Sequence, residues 1–259
     1  TSDTVELDEA MTEKALDRLE YWQKERVLKF KYYLIDAFWY DPEGNYQQFK
    51  KPNWPNGFIS VRKRMVTLGM TPGLWFDVNG PTSPRYKGWK ESLASDGRSY
   101  CLFDGPYAEG FEEALINAYN SWGVRLFKLD FANFRAVTPR LANSLSEAEV
   151  YLKNTEVLKQ IFRSFRSRFS DIIILAYNGY ELVPDYISNT SYSLRRGIDP
   201  SWLEVFDYIY SGDPRPVDIP CISFRHSLDV YQSYMVWNFN FSGIPLGRID
   251  DSGCMVGDT

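Results

Sequence analysis

With 259 residues, 44% of them hydrophobic, the chain has room for one large α/β domain or two small ones. A net charge of −5 with no Lys/Arg block argues against nucleic acid as a partner, and no apolar run approaches the roughly 20 residues of a membrane span. One histidine, His226, disfavours a His-rich zinc centre, and Cys101, Cys221 and Cys254 are too scattered for a metal pattern or a disulfide framework, which leaves the compartment open.

The chemistry must therefore rest largely on carboxylates, because a Ser-His-Asp arrangement would hang on His226 alone. Aromatic residues reach 17%, with eight Trp and eighteen Tyr. Such a composition suits either an aromatic core or a cleft whose flat rings meet the apolar face of a sugar.

Residues 8–27 carry Met11, Ala15, Leu19 and Trp22 at helical spacing. "KYYLIDAFWY" (31–40) reads as a strand running into a loop. A helix over 57–69, with Phe58, Val61, Met65 and Leu68 on one face, ends at Gly69. "TPGLWFDV" (71–78) is a strand behind a Pro-Gly break. Phe111, Leu115, Ala118 and Trp122 mark the next helix, closed by Gly123. "VRLFKLDF" (124–131) is a strand in which Lys128 and Asp130, two apart, project from one face. A helix follows over about 144–168, then strands at 171–180 and 206–213. A helix over 227–245 gives way to a last short strand or loop, "PLGRIDD".

Strands alternating with helices predict a parallel sheet, and no phosphate-cradling glycine loop follows the first strand. A polar residue stands instead at the C-terminal end of nearly every strand: Asp36, Asp77, Asp130, Asn178, Asp213 and the Asp250/Asp251 pair. A single Asp there reads as a helix cap. The recurrence points to an active site at the C-terminal face of a (β/α)8 TIM-type barrel. Six strands are countable, so either the barrel is incomplete in this chain, which begins after the first strand and stops near the seventh, or one strand is poorly patterned. The whole chain, 1–259, is expected to be a single barrel domain of a larger multidomain protein.

The stretch "YYLIDAFWYDPEGNYQQFKKPNWPNGFISVRKRMVTLGMTPGLWFDV" resembles the second-to-third strand region of retaining α-glycosidases of families 36 and 31. "LFKLDF" resembles the nucleophile strand of family 36 α-galactosidases, with Leu129 where a Trp is usual. "YIYSGDPRP" and "FRHSLDVYQSYMVWNFNFSGIPLGRIDDSG" are closer to family 31. The resemblance implies that Asp130 is the nucleophile and Asp213 the general acid/base. It implies sugar contacts from Asp36, Trp39, Trp75, Asp77, Lys128, Tyr177, Asn178, Asp250 and Asp251. Arg225 either binds a hydroxyl, orients Asp213 or makes a surface ion pair. It implies no metal and no cofactor, a glycoside or oligosaccharide as the partner, and a secreted or periplasmic location.

Cleavage with retention needs two carboxyls about 5–5.5 Å apart, one ionised to attack and one protonated to release the leaving group. Lys128 near Asp130 is expected to keep the nucleophile charged, and aromatic surroundings with a nearby negative charge to keep Asp213 protonated. α-Galactosidase is the first expectation and a family 31 α-glucosidase the alternative. Two other classes remain open, a sugar-binding barrel without turnover and an unrelated metal-dependent barrel enzyme such as a lyase or isomerase.

Overall fold

A computed structural model describes residues 7–25, 29–180 and 199–209. The apolar runs that are hydrophobic at successive positions become strands, buried on both faces in the middle of the sheet and half-buried at its two edges. These are β1 (Tyr32–Ile35), β2 (Thr71–Asp77), β3 (Leu126–Asp130), β4 (Ile173–Ala176) and β5 (Tyr208–Ile209). All neighbours pair in parallel, in the sequential order β1-β2-β3-β4-β5. The register sets Trp75 opposite Lys128 and Asp77 opposite Asp130. One-step neighbours of this kind differ from a doubly wound sheet, whose strand order reverses at a switch point.

The helices are α1 (Glu9–Glu25), α2 (Ile59–Thr67), α3 (Tyr107–Trp122) and α4 (Glu147–Arg168), the last three each bridging consecutive parallel strands. Their apolar stripes cover one face of the sheet. Phe76 of β2 lies 6.2 Å from Phe111 of α3, and Phe127 of β3 lies 5.2 Å from Phe165 of α4, centroid to centroid. α4 starts at a capping box in which Ser146 Oγ accepts from Glu149 N and Glu149 Oε2 accepts from Ser146 N. Gly123 closes α3 in the left-handed conformation at φ 70, where any other residue would be strained. α1 is tied to α2 by polar contacts: buried Glu9 accepts from Asn56 and Ser60, and Arg64 pairs with Glu13, Asp17 and Glu20.

The stretch 31–40 is a strand running into a loop, as expected: β1 stops at Ile35, Asp36 Oδ1 accepts from Ala37 N and the chain turns through Phe38 at φ 68. One expectation is trimmed. The strand read over 171–180 is regular only to Ala176. Two short 3-10 helices, Lys87–Ser92 and Pro200–Glu204, went unpredicted, being shorter than any periodicity can show. The sixth strand, the helix over 227–245 and closure into a barrel lie outside the described residues.

Candidate functional site

Because the strands are parallel, their C-terminal ends meet at one edge of the sheet. Alternation does the rest. Trp75 and Asp77 on β2, and Lys128 and Asp130 on β3, point to the face opposite α3 and α4, while Phe76, Phe127 and Leu129 point toward the helices.

Asp130 is the centre of the arrangement, 4% exposed. Its Oδ1 accepts from Asn178 Nδ2 at 2.7 Å and from Phe131 N at 2.9 Å, and its Oδ2 accepts from Trp75 Nε1 at 3.1 Å. Asn178 reaches it because Gly179, at φ 100, brings the loop after β4 against the backbone of Ala132; a Cβ there would overlap the Ala132 carbonyl oxygen. Two backbone bonds fix that approach, Tyr177 N to Leu129 O at 2.7 Å and Ala132 N to Asn178 O at 3.1 Å. A second loop pair holds the other side: Asn79 Oδ1 accepts from Asn133 N at 2.8 Å, and Asn79 Nδ2 donates to Asn133 O at 2.9 Å.

Lys128 spends its ammonium on Asp36, 3.3 Å and 3.2 Å from the two carboxylate oxygens, and sits 4.3 Å over the Tyr177 ring. The lysine is nearly buried and Asp36 exposed, so the pair lies at the boundary between sheet and solvent. Burial is the largest influence on Asp130 and pushes its carboxyl above the usual carboxylate range. The Lys128 charge and the hydrogen bonds from Trp75 and Asn178 pull it down, while Asp36 adds to the rise. The expectation that Lys128 keeps Asp130 charged is thus right for that one influence and wrong for the net direction, because desolvation outweighs it.

Two residues expected to touch a ligand are core residues. Trp39 is 0% exposed; its indole donates to Trp75 O at 2.7 Å, and its ring packs against Phe49, Phe76 and Trp122. No surface is left for a sugar. Asp77 is also fully buried. Its carboxylate accepts from Gly80 N, from Thr82 N at 2.9 Å and from Thr82 Oγ1 at 2.5 Å, closing the loop that follows β2. Asp36, Trp75, Lys128, Tyr177 and Asn178 are drawn together around Asp130. Asp213, Arg225, Asp250 and Asp251 lie outside the described residues.

Sequence reasoning missed two neighbours of this cluster, Phe38 and Phe131. Both have positive φ, 68 and 53, and both rings stand near Trp75, at 6.4 Å and 5.9 Å. A left-handed phenylalanine carries no signature in composition or periodicity. Among the described residues, no group of three or more His, Cys, Asp or Glu could hold a metal ion, and no helix is long and apolar enough to cross a membrane.

No protein-family model and no curated protein matches the chain. Solved structures do. A variant of the GH36 α-galactosidase AgaA from Geobacillus stearothermophilus, in complex with raffinose, matches with TM-score 0.59 over 80% of this chain at 16% identity. AgaB from the same organism matches with TM-score 0.56 over 80% at 17% identity. The α-galactosidase from Lactobacillus brevis matches with TM-score 0.53 over 66% at 13% identity. The described fold is similar to part of the GH36 α-galactosidase fold. This chain spans only 29%, 28% and 25% of those chains, respectively.

Proposed function

We propose that this chain forms the catalytic part, a (β/α)8 barrel, of a retaining glycoside hydrolase that cleaves terminal α-linked galactose. In this reading Asp130 attacks the anomeric carbon and Asp213 protonates the leaving oxygen, then activates water. Asp36, Lys128, Tyr177 and Asn178 frame the sugar, Trp75 holds Asp130, and Arg225, Asp250 and Asp251 complete the site from the later part of the chain. Further domains belong to the same protein. No cofactor enters the mechanism.

The observation that carries the reading is the holding of Asp130. Three donors fix its carboxylate at the C-terminal edge of a parallel sheet, beside a lysine–carboxylate pair that presents charged groups to solvent. Both carboxylate oxygens are oriented before any ligand arrives, as a nucleophile requires. Burial raises the Asp130 carboxyl, and the Lys128 charge with the Trp75 and Asn178 donors acts against that rise in favour of the ionised form a nucleophile needs. The AgaA structures with raffinose and with stachyose add the sugar class.

The test is a panel of nitrophenyl α-glycosides. Galactoside turnover is expected, abolished in Asp130→Asn with the fold intact. Asp213→Asn should spare nitrophenyl substrates more than raffinose, since a good leaving group needs less protonation. Turnover of the glucoside alone moves the protein to the α-glucosidase alternative. A second reading is a sugar-binding barrel without turnover, which the near-complete burial of Asp130, 4% exposed, favours. Retained raffinose binding with no hydrolysis on any substrate would select it.

A further inference from the structure

Phe38 is a residue in the wrong conformation for its type. Its backbone sits at φ 68, where glycine is at ease and a bulky side chain is strained. Its ring is 49% exposed, so burial repays little of that strain. Strain of this kind persists where function holds it.

The position supplies the function. Phe38 follows two residues after Asp36, whose carboxylate pairs with Lys128. Its ring lies 6.4 Å from that of Trp75, tilted by 39°, and the Trp75 indole donates to Asp130. One aromatic ring therefore separates Phe38 from the candidate nucleophile. The turn also divides two adjacent aromatics, sending Trp39 into the core and Phe38 to the surface. The left-handed turn keeps Phe38 at the rim, against Trp75.

We propose that Phe38 is the platform on which the apolar face of the substrate's pyranose ring lies, in place of its neighbour Trp39, which the family resemblance implies as a sugar contact. The proposal rests on the glycoside reading above. C–H groups on one face of a pyranose pack against an aromatic face and displace water from it, and a half-exposed ring has that surface to offer.

Three variants test it in the full protein: Phe38→Ala, Phe38→Gly and Phe38→Trp. Calorimetric titration uses raffinose, with maltose in parallel, and kinetics use nitrophenyl α-galactoside and α-glucoside. Loss of the ring in the Ala and Gly variants should weaken binding and raise KM by about ten-fold, with kcat within about two-fold of wild type. The Trp variant should restore both. The Gly variant should melt about 2–4 °C above the Ala variant, because glycine alone relieves the left-handed strain. Affinity and KM unchanged within about two-fold in both Ala and Gly variants would overturn the platform while leaving the hydrolase reading intact. A fall in kcat at constant KM would also overturn it, since the ring would then act through Trp75 on Asp130. Wild-type protein that neither binds nor cleaves any of these glycosides would sink the glycoside reading and the platform together.

Discussion

Asp77→Asn separates a structural acid from a site acid, and its effect has a definite sign. Burial pushes the Asp77 carboxyl from 3.8 up to about 7, against the pull of hydrogen bonds from Thr82, Gly80 and Ser83. A folded-state value above the unfolded one means that folding favours the protonated acid. The stabilisation is complete below about pH 4 and is lost as pH rises through 7. A rise of about three units corresponds to about 4 kcal/mol of stability lost between pH 4 and 8. Asparagine does not titrate, so Asp77→Asn should remove this slope. Wild type should be the more stable of the two at pH 4, and its advantage should shrink or reverse by pH 8. Urea unfolding followed by tryptophan fluorescence at several pH values measures the difference directly. Parallel profiles for the two proteins would refute the reasoning, for they would mean that the donors hold the folded carboxyl at its unfolded value. A slope of the opposite sign would refute it more strongly.

Two further predictions concern Asp130. Trp75→Phe deletes the indole donor together with the pyrrole ring but keeps an aromatic side chain, and a hydrogen bond to a charged group is worth about 1.5–3 kcal/mol, or about one to two pH units in the carboxyl. The acid limb of kcat/KM on nitrophenyl α-galactoside should therefore move to higher pH; an unmoved limb would show that Trp75 does not support the ionised form. Gly179→Ala places a Cβ against the Ala132 backbone at φ 100 and should cost about 2–5 kcal/mol in urea unfolding, while displacing Asn178 from Asp130. A stability loss under about 0.5 kcal/mol would mean the loop moves freely.

Much of the architecture is written in local pattern. The runs ending at Asp77 and Asp130 are apolar at successive positions because both sheet faces are covered, and Phe111, Leu115 and Ala118 announce the buried stripe of α3. The edge that gathers Asp36, Asp77, Asp130 and Asn178 follows from parallel strands alone. What the pattern does not carry is the partner of each polar group. Asp36 and Asp77 look alike in sequence, each an acid at a strand end. One is paired with Lys128 at 92 residues' separation; the other is closed off by amides only three and five residues ahead. Trp39 and Phe38 look alike too, yet Trp39 is fully buried and left-handed Phe38 is half exposed.

The Lys-x-Asp of β3 makes the same point about chemistry. Two charges on one strand face suggest a mutual pair, yet each is satisfied from a different strand: Lys128 from the end of β1, Asp130 from β2 and from the loop after β4. Dividing the partners this way has a physical consequence. A direct ammonium–carboxylate bond would fix Asp130 as a spent ion pair and compete with any ligand for its lone pairs. Holding Lys128 on the exposed Asp36 instead keeps its positive charge near, as a field that lowers the carboxyl without occupying it. Neutral donors from Trp75, Asn178 and the Phe131 amide then aim the two oxygens. The left-handed residues Phe38 and Phe131 both stand near Trp75. Each such residue costs on the order of 1–3 kcal/mol, so the packed frame around the indole must exceed that cost to keep the carboxylate where it is.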